Sequence, residues 1–391
     1  MKIRCSLRSL EWVHSFFAQI RFNELKSDQI NTSMRYYTAR AMLSLILILA
    51  AFNCFAQTTK QEYLKRIDII EQNIDKYFVA GDRGLYLENI GKHEKPYSYL
   101  WPLCALIQAK NETESIKKNN GMQSVVNAID QYYTTASPAP SYQSYVEKSS
   151  RFYDDNQWIA IAYLNAYTRT KKEVYLKKAK EIYTWLLTGY DNNTGGGLYW
   201  KEDEKTSKNT CSNGPNILVS LELYQATKEK KYLDTALLVY NWTNKTLRGK
   251  DGVFYDAINV SSLKIDSAAY TYNTGTMLES SVMLYKITRE AKYLNEAKLL
   301  ATAAKKRFYK NGKLPGHYWF NAVLLRGYLA LYGVEKDASR LQFFIDDADR
   351  VWKMERDERN LLGREADKTL LLQAGILEIY ARLAALNLTK S

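Results

Sequence analysis

Two adjacent carboxylates, Asp154 and Asp155, stand in the run FYDDNQW, flanked by aromatic residues and followed at once by a strongly periodic helical pattern. Two carboxyl groups held together suit the cleavage of a glycosidic bond. One donates and recovers a proton while the other attacks or stabilises the sugar cation. Like charges a few Å apart split their proton affinities, so one ionises and the other stays protonated near neutral pH. A helix N-terminus favours the ionised partner. The same pair is also what an ordinary helix start looks like, because Asp and Asn cap exposed N–H groups there. Neighbouring side chains on an ideal helix point about 100° apart. Action on a common target therefore calls for an irregular start to that helix.

Other chemistries are disfavoured. Beyond residue 56 the only histidines are His93 and His317, and no CxxC pair occurs. That argues against a His-rich metal site or a Ser-His-Asp triad. Carboxylates, amides and aromatics remain, with no metal or cofactor expected. Cys104 and Cys211 each fall near a helix start, where a disulfide and two buried thiols are both open.

The elements that must position the pair are helical almost throughout, with apolar residues recurring at three- and four-residue intervals. A repeat shows through: Tyr175-Leu176 leads to Ala179, Tyr232-Leu233 to Ala236 and Tyr293-Leu294 to Ala297, at spacings of 57 and 61 residues. Such a period marks a repeating supersecondary unit, here two helices with their connections. Six segments are apolar nearly all round and should be buried: about 97–110, 156–169, 213–228, 273–288, 317–332 and 367–386. Six Lys-rich amphipathic segments alternate with them: about 60–78, 120–134, 173–187, 230–247, 291–309 and 338–354. Six inner and six outer helices describe an (α/α)6 toroid, with a superhelical solenoid of the same pairs as the other architecture.

In a toroid the N-termini of the inner helices open onto one face. Tyr97 and Trp101 fall on the first, and Asp154, Asp155, Asn156 and Trp158 start the second. Asn209, Ser212 and Asn213 start the third, Tyr272 and Asn273 the fourth, and His317 and Trp319 the fifth. Trp200 lies in the long polar stretch 194–213, which begins TGGGLYW and reads as a short hairpin of functional length. Amides hydrogen-bond sugar hydroxyls, and aromatic faces pack on pyranose rings. Trp101, Asn156, Trp158, Trp200, Asn209, Asn213, Tyr272, Asn273 and Trp319 are therefore the candidate substrate-binding residues. Capping for Asn213 and Asn273, and core packing for Trp200 and Trp319, are the plainer readings. A second pair, Asp346-Asp347, falls on an outer helix and reads as a solvated face.

The N-terminus reads as targeting sequence. Arg35 and Arg40 precede an apolar run from Ala41 to Phe52 that is too short for a bilayer, which needs about 20 apolar residues. The run ends in Cys54-Phe55-Ala56, a small-residue pattern with cleavage expected after Ala56. Met34 is the expected true start, and residues 1–33 an upstream extension. The context of Cys54 (Phe52 and Asn53) disfavours lipidation. Residues 1–56 carry seven Lys/Arg and three Asp/Glu, so the formal charge falls from +13 to +9 without them. The remaining basic residues are scattered over helix faces, which argues for solvation and against nucleic-acid binding. The expectation is an exported, soluble, monomeric protein whose residues 57–391 form one helical domain, periplasmic or extracellular, with no membrane insertion.

The runs YDDNQW at 153–158, GGGLYW at 195–200, KNTCSNGPNILVSLELY at 208–224 and TYNTGTMLESSVMLY at 271–285, in that order, resemble glycoside hydrolase family 76, the α-1,6-mannanases. The likeness spans most of residues 60–388. It implies an (α/α)6 fold, retaining hydrolysis of α-1,6-linked mannan without a metal, Asp154 as nucleophile and Asp155 as general acid/base. Two other readings compete. A non-catalytic helical glycan-binding protein of an import system has no need of the carboxylate pair. Another (α/α)6 enzyme, such as an unsaturated uronyl hydrolase, would act on charged glycans, and epimerases of this shape need more histidines.

Overall fold

A computed structural model describes residues 60–81, 83–91 and 94–386. Met34, Cys54, the cut after Ala56 and His93 lie outside the described residues. Among these residues no helix is long and apolar enough to cross a membrane.

Twelve helices occur among the described residues, alternating between two rings. The outer ring comprises α1 (60–77), α3 (Met122–Ile129), α5 (Glu173–Leu186), α7 (Lys230–Leu247), α9 (Ala291–Phe308) and α11 (Gln342–Met354). The inner ring comprises α2 (Leu100–Lys117), α4 (Tyr153–Thr170), α6 (Thr210–Thr227), α8 (Thr271–Thr288), α10 (Tyr318–Glu335) and α12 (Leu370–Ala385). Each inner helix packs on the next, and α12 packs on α2, which closes the ring as an (α/α)6 toroid. The open solenoid is thereby set aside. Inner helices are buried nearly all round, whereas outer helices bury one stripe, such as Tyr232, Ala236, Val239 and Tyr240 of α7. That contrast is the one the apolar periodicity implies. Inner helices approach closely where a glycine removes the side chain. A Cβ on Gly375 of α12 would lie 2.3 Å from the Trp319 backbone nitrogen of α10.

The two ends of the toroid differ. At the inner helices' C-termini, five of six end on a basic residue in the left-handed region: Lys118, Lys171, Lys228, Arg289 and Lys336, with φ from 57° to 63°. Each N–H returns to the carbonyl four residues back, closing the last turn. Glycine would fit this backbone at lower conformational cost, but a cation complements the negative end of the helix dipole. Thr170, Thr227 and Thr288 then accept the N–H two residues on and turn the chain straight into the next outer helix. This end is sealed by tight turns.

The long connections all run from outer to inner helices and gather at the other end. They carry the short strands: β1 (Val79–Ala80) with β2 (Leu85–Tyr86), β3 (Tyr133–Thr134) with β4 (Ser141–Tyr142), and a three-stranded antiparallel sheet of β5 (Ser207–Asn209), β6 (Tyr255–Asn259) and β7 (Ile265–Ala269). The hairpin expected within 194–213 is only partly formed. Trp200 N–H donates to Ser207 O at 3.2 Å, but β5 pairs with β6 of the next repeat.

Three sequence expectations are corrected. Tyr97 precedes α2, which starts at Leu100 and tolerates Pro102 in its first turn because no N–H is needed there. Helix α3 stops at Ile129, where a 3₁₀ turn over Asp130–Tyr132 leads into β3. Asp347 is buried, not solvated. It accepts from Leu314 N–H at 3.2 Å and pairs with Arg350 at 2.7 Å, which joins α11 to the loop before α10.

Candidate active site

Asp154 and Asp155 are the second and third residues of α4, which begins at the mouth of the toroid. Phe152 before them is extended (φ −110°, ψ 135°), and its side chain makes no cap. The first intrahelical bond is long, Asn156 N–H to Phe152 O at 3.4 Å, and the two carboxyl groups of this first turn meet different surroundings. One Asp154 oxygen accepts its neighbour's N–H (Asp155 N, 3.1 Å), one of the groups a helix start leaves unpaired. Its other oxygen accepts the Trp200 indole N–H at 3.1 Å. Capping and a chemical role thus coexist in one side chain.

These contacts separate the two acids. Burial pushes Asp154 up to about 6, held back by the Trp200 N–H and the Cys211 thiol. Burial, followed by the Asp154 charge, raises Asp155 well above the carboxylate range. Among the described residues none donates a hydrogen bond to the Asp155 carboxyl, so no such contact favours its charged form. Asp154 therefore ionises first and Asp155 keeps a proton to donate. That is the split of an acid and a nucleophile sharing one site.

The candidate binding residues fall into three groups. Asn156 and Asn213 are fully buried and spend their amides on backbone. Asn156 exchanges two bonds of 2.8 Å with Tyr142 and donates to Phe152 O. Asn213 does the same with Leu198 and Asn209. Asn321 and Gln373, also the fourth residues of their helices, clamp the preceding loops likewise. These side chains hold the mouth loops on the inner ring and leave no amide for a ligand.

Trp158, Trp319 and Tyr272 form an aromatic floor. They are nearly fully buried, with centroids 5.5–6.0 Å apart. The Trp158 indole donates to the Tyr272 hydroxyl, which donates to Cys211 O at 3.1 Å. Trp101 lies 5.7 Å from Trp319, less buried, on the mouth side of that floor. His317 caps α10 by accepting Phe320 N–H and stacks on the Phe320 ring at 3.7 Å. Burial lowers its pKa to about 4, so it stays neutral at physiological pH.

Trp200 stands at the opening itself, with Asn209 and Asn273 buried near it. Trp200 is 40% exposed and leans on Phe152. Asn209 and Asn273 both point their amides at Asp256, at 3.3 and 3.5 Å. Asp256 is a third, half-buried carboxylate, raised by burial, that sequence reasoning passed over. It stands on β6 opposite a bulge in the β6–β7 register, an irregularity common beside active sites. It closes the run DGVFYD at 251–256, whose opening Asp-Gly is an ordinary turn signal and masks the carboxylate. Tyr270, 43% exposed and immediately before α8, was passed over as well; it packs on Phe320 at 5.8 Å. Cys104 and Cys211 are free thiols, and Cys104 S–H donates to Asp155 O at 3.3 Å. Among the described residues no cluster of His, Cys, Asp and Glu could hold a metal ion.

Known proteins resemble this chain in sequence and fold. The profile of glycosyl hydrolase family 76 matches residues 59–335. A glycoside hydrolase family 76 mannosidase of Bacteroides thetaiotaomicron superposes with a TM-score of 0.74 at 27% identity, over 83% of this chain and 98% of its own. An inactive variant of an α-1,6-mannanase of Salegentibacter sp. HEL1_6, with two adjacent Asp→Asn changes and α-1,6-mannotriose bound, has a TM-score of 0.71. At 20% identity, over 82% of this chain and 98% of that one, it shows likeness of fold. Mannan endo-1,6-alpha-mannosidase DCW1 of Saccharomyces cerevisiae is 29% identical over 151 residues, 34% of each chain. The chain spans 31% to 59% of the length of the curated relatives it matches. With a closed ring of six helix pairs, a buried carboxylate pair at its mouth and a profile match over most of its length, this chain belongs to glycosyl hydrolase family 76.

Proposed function

We propose that this protein is a retaining glycoside hydrolase that cleaves α-1,6-linked mannan, with endo action. The observation that carries the reading is the unequal pair at the start of α4: Asp154 held by an indole N–H, Asp155 buried with no donor among the described residues. Asp154, ionised, attacks the anomeric carbon while the glycosidic C–O bond breaks and the Asp155 proton passes to the leaving oxygen. A sugar is left esterified to Asp154. Asp155, now a carboxylate, takes a proton from water, and the resulting nucleophile displaces Asp154. Two inversions at one carbon leave its configuration retained.

The opening supports a neutral sugar substrate. Half-buried Asp256, held by the amides of Asn209 and Asn273, offers acceptors for a diol, Trp200 and Tyr270 offer exposed ring faces, and Trp101 a half-buried one. A uronate would meet the Asp154 carboxylate and the acidic side chains of Asp155 and Asp256 there, which disfavours the uronyl hydrolase reading. The leader-like segment around Arg35, Arg40 and the apolar run supports export to the periplasm or exterior, followed by action as a monomer. Domain limits of 57–391 fit the same reading.

The test is substitution of each acid. Asp154→Asn and Asp155→Asn should stop the release of reducing ends from α-1,6-mannan while circular dichroism and mannan binding persist. Full turnover by either variant would reject the assignment.

A further inference from the structure

The connection from α5 to α6 contains a lysine with no access to solvent. Lys208, in β5, is 0% exposed. Its Nζ donates to Asp191 Oδ1 at 2.5 Å, Asp191 O at 3.0 Å and Gly196 O at 2.8 Å. Three acceptors around one nitrogen need three N–H groups, which an ammonium has and a neutral amine lacks. The Tyr199 ring lies 4.8 Å and the Trp242 ring 6.0 Å from that nitrogen, positioned for cation–π attraction. A charge this deeply buried is tolerated only when it is fully partnered.

The loop has the shape of a cation cradle. Asp191 also binds Asn193 N–H and the Tyr199 hydroxyl, so its carboxylate is fixed before it meets the ammonium. Gly196 and Gly197 adopt φ of +137° and +85°, and a Cβ on Gly197 would lie 2.5 Å from the Trp242 ring. Trp242 in turn donates to Thr194 O at 2.9 Å. The carbonyls that face Lys208 do so because the glycines allow this backbone.

That cradle leads directly to the nucleophile. Past Gly197, Leu198 is clamped by Asn213. Trp200 then bridges two elements: its N–H donates to Ser207 O, the neighbour of Lys208, and its carbonyl accepts Tyr153 N–H at the start of α4. Its indole reaches Asp154.

We propose that the Lys208 ammonium is a built-in cation around which the 191–200 loop closes, and that it is a positioning residue for the catalytic pair because the closed loop delivers the Trp200 N–H to Asp154. The inference rests on the reading of Asp154 as nucleophile. That reading has its own control, since Asp154→Asn retaining activity would undo it whatever Lys208 does.

The experiment compares Lys208→Met, Trp200→Phe and the double variant on α-1,6-mannan. Lys208→Met should lower kcat/KM about tenfold, mainly in kcat, and move the acid limb of its pH profile upward. In the Trp200→Phe background the same change should cost less than about twofold, because the contact through which it acts is already gone. Lys208→Ala leaves a hole the size of propylammonium. Propylammonium should restore part of its activity, while propanol, of similar size but uncharged, should not. Equal losses from Lys208→Met in both backgrounds would overturn the proposal. So would an unmoved acid limb in a folded variant. If Lys208→Met does not fold, Asp191→Asn, at the half-exposed end of the cradle, is read for the same non-additivity with Trp200→Phe, with the same result overturning it.

Discussion

Replacing Asp154 with Asn should abolish turnover and at the same time stabilise the protein, but only above mildly acidic pH. Burial raises this carboxyl from its ordinary 3.8 to about 6 on folding. The folded state therefore holds the proton more tightly than the unfolded chain. Below 3.8 both states are protonated and the group contributes nothing to the balance. As pH rises through 6 the folded state is penalised by having to bury a charge, and the penalty is then complete. A difference of about two in pKa corresponds to about 3 kcal/mol. Partial exposure and coupling to Asp155 place the working value at about 1–3 kcal/mol. Asn keeps an oxygen for the Trp200 N–H, so that contact survives the change. With a melting entropy near 0.7 kcal/mol/K for about 330 residues, the gain is about 1–4 °C at pH 8 and nil near pH 4. Thermal melts of both proteins at the two pH values, beside reducing-end assays, check this. A lower melting temperature than wild type at pH 8, or an equal gain at both pH values, would refute the reasoning.

Other consequences follow from the same structure. Trp200→Phe removes the N–H that holds Asp154 down, so the acid limb of kcat/KM should move up by up to about one pH unit with the fold unchanged. Asn213→Ala strips three buried bonds from the loop before α6 and should cost about 2–4 kcal/mol in denaturant unfolding, against almost nothing for an exposed Asn such as Asn120. Glu222, on the inner face of α6, is raised to about 8, by burial first, with Arg326 opposing and Glu279 adding to the rise. Wild-type stability should therefore fall as pH rises from about 4.5 to about 8, where the loss is complete. Glu222→Gln should flatten that fall while matching wild type near pH 4, as a melting series across pH would show.

The twelve helices were readable because each ring has its own pattern: apolar all round inside, striped outside, repeating at 57 and 61 residues. Closure of the ring was not readable in that sense. It depends on α12 meeting α2 across the whole chain, a contact no local period encodes. The carboxylate pair was legible as a pair that splits, but the contacts that split it were not. Those contacts come from Trp200, 46 residues away, and from burial of the Asp155 carboxyl with no donor among the described residues. Asn156 and Asn213 show the opposite failure. Their type and place suited sugar binding, yet the fourth position of an inner helix is where the preceding loop must be tied down. Asp256 was hidden because a turn motif and a strand end look alike until the sheet forms. Lys208 was hidden because Lys is an ordinary surface residue, and only the loop packed around it makes it an internal one.

The central claim is retaining cleavage by Asp154 and Asp155. Proton NMR of the first sugar released from α-1,6-mannan, recorded before mutarotation, tests it most directly. The account predicts the α-anomer at the new reducing end, and initial appearance of the β-anomer would contradict it.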